Sequence, residues 1–120
     1  VDLVVALCPL TDILGCVAAG VGGSALLDWV GGTPSERPEA YAGLDLARRL
    51  PTRTRTLLVH GADDDLVPVG QSEWYAQRAR AAGDPCELAV LDGEGHFGVL
   101  DPGTPAFRCW SSRLAAWVGD

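Results

Sequence analysis

Two short segments of the chain carry residue types that perform acid–base chemistry in enzymes. The sequence HGADDD at residues 60–65 places three carboxylates after an apolar run, and GEGHFG at residues 93–98 places a histidine among glycines after another. The loops that follow parallel strands collect at one edge of an open α/β sheet, so an acid of the first segment and His96 are expected to meet there. A carboxylate that holds a histidine in one tautomer, with the histidine as general base, supplies two members of a catalytic triad.

Other chemistry fits parts of the same pattern. Asp63, Asp64 and Asp65 could hold a hard cation such as calcium or magnesium, although the further spaced oxygen ligands of an EF-hand-type loop are not present. An acidic loop is most often only solvated, and a lone histidine in a turn is usually a surface residue. The order of the segments favours catalysis, because the triad of α/β hydrolases runs nucleophile, acid, histidine along the chain.

The elements that must position these residues have the pattern of an α/β fold with a parallel sheet. Apolar runs typical of buried strands lie at residues 1–7, 56–59 and 87–91. A helix is predicted over about residues 71–82, between the second and third strands, and Thr104 is expected to cap a last helix with Pro105 at its first position. Strands that alternate with helices indicate a parallel sheet.

Each predicted helix has a face that is expected to pack on the sheet. In the first helix the residues at helical spacing are Trp74, Tyr75, Arg78, Ala79 and Ala82. In the last helix they are Phe107, Trp110, Leu114, Trp117 and Val118.

The stretch between the first two strands is too long for a simple crossover. It contains glycine-rich turns and a capping-box pattern at residues 33–36 (TPSE), which predicts the start of a helix. It is either a partly helical cap over a site or an irregular crossover layer. The chain therefore divides into a strand at 1–10, this cap-like or crossover segment at 11–54, and the strands and helices at 55–120 that carry the acid and the histidine.

Composition excludes several classes of function. Sixteen acidic residues against nine basic ones give a net charge of −7, and no basic cluster is present, which argues against nucleic acid or an anionic membrane as a partner. The longest uncharged stretch, Ile13 to Leu27, is too short and too rich in glycine to span a bilayer. The four cysteines show no CxxC pair or metal-finger spacing, which favours free thiols in a reducing compartment such as the cytoplasm.

Several motifs resemble the C-terminal part of an α/β-hydrolase. They are LLVHGADDDLVP at 57–68, QSEWYAQRARAAG at 71–83 and DGEGHFGVLDP at 92–102, and the similarity extends upstream through VDLVVALCPLTD at 1–12 and GGTPSERPEAY at 31–41. The group concerned is the esterase/lipase group that includes kynurenine formamidase-like and prolyl-oligopeptidase-like serine hydrolases. The first twelve residues are similar to the strand after the nucleophile helix, and residues 31–41 resemble a cap-side segment.

This resemblance implies roles for particular residues. The catalytic acid falls on Asp64, with Asp63 and Asp65 as alternatives because a one-residue shift in the turn would exchange them. The catalytic histidine falls on His96, whereas His60 occupies a position where the family often has a histidine without a catalytic role. No metal or organic cofactor is implied.

The nucleophile is missing from this pattern. None of the five serines lies in a Gly-x-Ser-x-Gly elbow between a strand and a helix. Ser24 comes nearest but is expected in a turn, and Cys8 and Cys16 also lack the elbow. We therefore expect the nucleophile and the oxyanion hole upstream of Val1, and residues 1–120 alone to be inactive. The first strand would then lack a neighbour, and its apolar edge is expected to promote self-association.

The predicted function is the cleavage of a small-molecule carboxylic ester by the C-terminal portion of a serine hydrolase. The alternatives are an amide or formamide hydrolase with the same triad, a dehalogenase with an upstream aspartate nucleophile, and a non-catalytic α/β-hydrolase-like binding module. Trp29, Tyr41 and Trp74 could line an acyl or aromatic pocket, although an aromatic residue at helical spacing, such as Trp74, is more often part of the core.

Overall fold

The chain forms a small three-layer α/β structure around a parallel sheet. The computed structural model describes residues 2–119, so Val1, predicted at the start of the first strand, and Asp120 lie outside the described residues. The strands are β1 (Leu3–Leu7), β2 (Arg55–Gly61) and β3 (Cys86–Leu91), and they pair in parallel in the order β1-β2-β3. The predicted α/β architecture, parallel strands with flanking helices, is confirmed.

The central strand β2 holds the core. Leu57, Leu58 and Val59 are all buried, and they alternate between the two faces of the sheet. The face of Leu57 and Val59 packs against the last helix, α5 (Pro105–Gly119), and the face of Leu58 packs against α4 (Gly70–Ala81). Each fully buried aliphatic side chain of this kind stabilises the fold by roughly 1.5–3 kcal/mol.

Helix α5 begins where the sequence predicts. The Phe107 N–H donates to Thr104 Oγ1 at 3.2 Å, which satisfies one of the free amides of the first turn. Trp110 and Trp117 pack against the core, and Trp110 Nε1 also donates to the Val99 carbonyl at 2.8 Å. Val118 was wrongly assigned to this face: it is 68% exposed, because one residue further along a helix is about 100° around its axis.

The predicted packing face of α4 was partly wrong. The buried residues of the helix are small ones, Ser72, Ala76 and Ala79, which let the helix approach the sheet closely. Tyr75 packs against the edge of this cluster, whereas Arg78 is exposed and its guanidinium lies 4.1 Å from the centre of the Trp74 ring. Ala82, also exposed, follows the last residue of the helix.

The connection from β1 to β2 consists of short helical pieces. They are α1 (Ile13–Ala18), α2 (Ala25–Val30), α3 (Pro38–Gly43) and a 3-10 turn (Leu46–Arg49). The predicted helix start at residues 33–36 is wrong, although Thr33 and Glu36 do exchange the two hydrogen bonds of a capping box. They close a turn instead, because Pro38 disfavours helical geometry at Arg37, which adopts φ −131° and ψ 52°.

Both ends of this connection are held by side chains from α4 and from the turn that follows α4. At the first end, Gln71 Oε1 accepts from the N–H groups of Thr11 and Asp12 at 2.9 and 2.7 Å. At the second end, the Asp84 carboxylate accepts from the N–H groups of Thr52 and Arg53 at 2.7 and 2.8 Å. The connection is thus anchored next to the strands it joins.

Two further predictions from the sequence concern membrane spans and the state of the cysteines. Between residues 2 and 119, no helix is both long and apolar enough to cross a membrane. All four cysteines are free thiols, and Cys8, Cys16 and Cys86 are buried.

Candidate active site

The loops that follow β2 and β3 run side by side at the carboxyl edge of the sheet. Backbone hydrogen bonds join them: the Ala62 N–H donates to the Leu91 carbonyl at 2.9 Å, and the Asp63 N–H donates to the Glu94 carbonyl at 3.0 Å. These bonds continue the pairing of β2 with β3 beyond the strands themselves. The carboxyl edge is where the sequence predicted that the acid and the histidine meet.

The approach of the two loops depends on Gly61. A Cβ atom at this position would lie 2.8 Å from the Gly95 carbonyl oxygen and closer still to the Glu94 carbonyl, which is nearer than real Cβ contacts come. Both obstacles are backbone atoms, which cannot swing aside as a side chain can. Glycine is therefore required here by the closeness of a second loop.

Asp64 and His96 form a hydrogen-bonded pair at this edge. The distance from His96 Nδ1 to Asp64 Oδ2 is 2.7 Å. The Asp64 side chain is fully buried, whereas the His96 side chain is 26% exposed. Asp63 and Asp65 are exposed, so of the three successive acids the structure brings Asp64 to the histidine.

The surroundings of Asp64 keep it ionised. Burial alone would raise the pKa of this carboxyl, but hydrogen bonds from Val67, His96 and Leu66 outweigh burial and hold the pKa below its usual range. Two of these donors are the N–H groups of Leu66 and Val67, which lie 2.9 and 2.8 Å from Oδ1. An ionised Asp64 can only accept, so Nδ1 of His96 carries the proton and Nε2 is left as the basic nitrogen.

His60 is a buried residue next to the Asp64–His96 pair. Its ring is completely buried, with Nε2 2.9 Å from the Val67 carbonyl oxygen and Nδ1 2.7 Å from Ser72 Oγ. A carbonyl oxygen only accepts, so Nε2 carries a proton and donates it to Val67. Nε2 also lies 3.3 Å from Asp64 Oδ2, so His60 gives this carboxylate a further polar neighbour.

Cys8 also reaches this edge, which the sequence analysis did not foresee. It follows β1 directly, is 4% exposed, and its Sγ lies 3.8 Å from the His96 carbonyl oxygen. Its backbone adopts φ +46°, an uncommon left-handed conformation for a residue with a side chain. Burial raises the pKa of its thiol to about 11, and the nearby Asp64 carboxylate adds to this rise against an opposing hydrogen bond from Gly61.

The position of Cys8 could have been found from the sequence. It is the first residue after a parallel strand, so the argument that placed Asp64 and His96 at the carboxyl edge applies to it equally. A cysteine within an apolar run usually acts as a small buried hydrophobe, so the composition around Cys8 gives no sign of a site. The role of Ser72, a polar residue within a predicted helix, had no comparable signal.

The serines are placed elsewhere. Among residues 2–119, no serine hydroxyl hydrogen-bonds to His96; buried Ser72 is bound to His60. Ser24 is exposed and precedes α2, so it follows no strand, as expected for a turn residue. The described residues therefore hold an acid and a base without a serine nucleophile beside them.

The aromatic residues considered for a substrate pocket differ in how deeply they are buried. Tyr41 is buried and donates its hydroxyl to the Gly32 carbonyl at 2.9 Å, while Trp29 is 66% exposed. The large apolar side chains exposed on the two loops are others: Leu66, Phe97 and Leu100. The Phe97 ring lies edge-on to the His96 ring, with 5.1 Å between their centres.

Comparison with solved structures shows the same fold in larger enzymes. A puromycin hydrolase is 28% identical, with a TM-score of 0.67 over 79% of this chain and 15% of that protein. A truncated carbohydrate esterase from gut microbiota is 21% identical, with a TM-score of 0.79 over the whole of this chain and 44% of that protein. The chain thus spans less than half the length of each.

Two comparisons of sequence agree with this picture in different ways. Methylphloroacetophenone synthase from Cladonia uncialis is 33% identical over 88 residues, which are 71% of this chain and 4% of that protein. The sequence profile of the prolyl oligopeptidase family matches residues 3–119, nearly the whole chain. The chain therefore belongs to the prolyl oligopeptidase family, within the α/β-hydrolases.

Proposed function

We propose that this chain supplies the acid and the histidine of a serine hydrolase that cleaves carboxylic esters. Asp64 and His96 are the pair, and the serine comes from a part of the protein that precedes residue 1. The observation that carries the proposal is the buried carboxylate held 2.7 Å from a partly exposed imidazole at the carboxyl edge of the sheet. Membership of a hydrolase family supports it.

In the proposed mechanism each proton transfer goes through His96. His96 Nε2 removes the proton of the serine hydroxyl as the serine oxygen attacks the acyl carbon, and then gives that proton to the departing alcohol. Water repeats the sequence and releases the acid. Asp64 keeps Nδ1 protonated and stabilises the imidazolium that forms, while its own contacts with Leu66 and Val67 keep it from rotating.

Apolar side chains on the same loops support a substrate with an apolar part. Phe97 is 69% exposed and adjacent to His96, and Leu66, 49% exposed, is two residues from Asp64. Exposed large hydrophobic side chains beside a reactive group are typical of substrate contacts. We propose that they contact the acyl or alcohol portion of the ester.

The test uses the full protein that carries this chain, with a chromogenic ester of a short carboxylic acid. We expect His96→Ala and Asp64→Asn to lower kcat by about 10⁴-fold, because each removes a member of the proton-transfer pair. Asp63→Asn and Asp65→Asn are the matched controls, since both side chains are exposed next to Asp64, and they should retain activity. Circular dichroism checks that each variant folds. Turnover retained in a folded His96→Ala variant, or an equal loss in the controls, would overturn the assignment.

Amide hydrolysis is a second candidate, favoured by the membership of a family named for an oligopeptidase. The same pair would then protonate an amine leaving group. An ester and an anilide of the same acyl group, compared by kcat/KM, separate the two functions. A ratio in favour of the anilide would replace the ester by an amide as the substrate and leave the roles of Asp64 and His96 unchanged.

A further inference from the structure

Three donor atoms of different chemistry converge at the carboxyl edge of the sheet. Cys8 Sγ, a carboxylate oxygen of Asp64 and a ring nitrogen of His96 all lie within 4.8 Å of one another. They come from the ends of three neighbouring strands, so the sheet itself sets their spacing. Thiolate, carboxylate and imidazole are the ligand types that zinc binds in proteins.

We propose that Cys8, Asp64 and His96 form a three-ligand site for a thiophilic divalent cation of the zinc type, and that its occupation stops hydrolysis. A fourth position, on the exposed side of His96, would remain for water. The inhibitory consequence rests on the function proposed above, whereas binding of the cation rests on the geometry alone.

Two of the ligands are already held in place. The second oxygen of Asp64 is fixed by the Leu66 and Val67 N–H groups, so the oxygen that faces His96 cannot turn away. The Cys8 N–H donates to the Val59 carbonyl at 2.8 Å, which ties this residue to β2. Groups that hydrogen-bond to a metal ligand orient it and strengthen binding, as these do.

His96 is the ligand that would have to move. Tetrahedral zinc places neighbouring ligand atoms roughly 3–4 Å apart, so atoms as far apart as 4.8 Å must approach each other by about 1 Å. If Nδ1 is the ligand, the 2.7 Å between it and Asp64 Oδ2 must widen instead. The His96 side chain is 26% exposed, and a Cβ atom at Gly95, the preceding residue, would meet nothing within 4 Å, so there is space for the loop to adjust. Cys8 and Asp64 can remain buried where they are.

The charges balance once the cation binds. Zinc displaces the thiol proton of Cys8 to solvent and forms a bond to the resulting thiolate, which with the carboxylate gives two negative charges against two positive ones. A neutral cluster offsets much of the cost of placing an ion in this buried setting.

Either mode of histidine binding removes the base. If the cation binds Nδ1, the proton of that nitrogen moves to Nε2, which can then no longer accept the serine proton. If the cation binds Nε2, the basic lone pair is occupied directly. In both cases Nε2 can no longer accept the proton of the serine hydroxyl, so hydrolysis stops.

The test is a titration of the full protein with cobalt(II), which replaces zinc and reports its ligands by absorption. We expect visible bands of a tetrahedral site together with an ultraviolet thiolate-to-cobalt charge-transfer band. Cys8→Ser and Cys8→Ala should remove the thiolate band and weaken cobalt binding by at least about tenfold. Cys86→Ser is the matched control, because Cys86 is also buried but lies at the opposite, amino end of the sheet, and it should keep the band.

The outcomes separate the two proposals. Absence of a thiolate band, or a band that persists in a folded Cys8→Ala variant, overturns the metal site. A band that depends on Cys8, combined with turnover that zinc does not reduce, supports the metal site and overturns the catalytic role of the pair. A Cys8-dependent band combined with zinc inhibition that a chelator reverses supports both.

Discussion

The two loops at the carboxyl edge and the connection between β1 and β2 are built in opposite ways. In the loops the decisive hydrogen bonds join residues far apart in sequence, such as His96 to Asp64 and the Asp63 N–H to the Glu94 carbonyl. Within the connection the side-chain bonds are local: Thr33 pairs with Glu36, and Tyr41 with Gly32. Within residues 2–119, the side-chain hydrogen bonds from the connection to distant parts of the chain lie at its two ends.

This difference predicts where substitutions are tolerated. A local hydrogen bond satisfies one turn, so its loss is confined to that turn. A long-range bond holds two loops in register, so its loss moves several groups at once, and residues in such contact do not contribute independently. Substitutions at the loop edge should therefore change both stability and turnover, and those within the connection should change neither by much.

Outside the Asp64–His96 pair itself, the largest effect is expected at Gly61. Gly61→Ala places a Cβ against the Glu94 and Gly95 carbonyls and must push the loops apart, so we expect kcat to fall by about 10²-fold and the free energy of unfolding by about 1–3 kcal/mol. Gly95→Ala is the control, since its Cβ would meet nothing within 4 Å. Both are measured in the full protein, by ester turnover and by denaturant unfolding. Equal effects of the two substitutions would show that the loops are not in close contact.

The next effect is expected at His60. His60→Phe leaves the Val67 carbonyl and the Ser72 hydroxyl without their partner and removes a polar neighbour of Asp64. We expect the free energy of unfolding to fall by at least about 2 kcal/mol, because buried polar groups left unpaired cost about 1–3 kcal/mol each and the larger phenyl ring must be accommodated as well. Ser72→Ala, which removes a single donor, should cost less. An unchanged denaturation midpoint in His60→Phe would contradict a stabilising role for the hydrogen bonds of this ring to Val67 and Ser72.

A smaller, pH-dependent effect is expected at Asp84, which anchors one end of the connection. Burial would raise its pKa, but the hydrogen bonds from Thr52 and Arg53 hold the pKa below its usual range. Its stabilisation is therefore fully present above the unfolded value, about 3.9, and is lost as the pH falls through the lower folded pKa. Asp84→Asn should lower stability near neutral pH and reduce the further loss in acid. Denaturant unfolding from pH 7 to about 3 tests this, and parallel profiles for the two proteins would contradict it.

The smallest effect is expected within the connection itself. Thr33→Ala removes one local hydrogen bond at an exposed turn, so the free energy of unfolding should change by no more than about 0.5 kcal/mol and turnover should be unaffected. The same two assays measure it. A loss of turnover on this substitution would indicate that the connection is coupled to the Asp64–His96 pair. It would contradict the expectation that substitutions within the connection leave turnover unchanged.

Much of the architecture was predictable because its signals are local. Each strand is an apolar run ended by a turn residue, and the cap at Thr104 identifies the start of α5. Packing faces were predicted less well, as Val118 and the small residues of α4 show, because the face that is buried depends on what lies opposite. The capping-box pattern at residues 33–36 forms its bonds yet opens no helix, since the proline that follows redirects the chain.

By itself the sequence determined that an acid and His96 follow neighbouring parallel strands and so reach one edge of the sheet. Only the tertiary structure decided which acid it is: the second loop places His96 Nδ1 2.7 Å from Asp64 Oδ2, whereas Asp63 and Asp65 are exposed. The tertiary structure also placed Cys8 next to Asp64 and His96. The pattern of apolar residues along the chain shows which strands are buried. Strand order and register are long-range properties, and they set the distance between side chains at the ends of three separate strands.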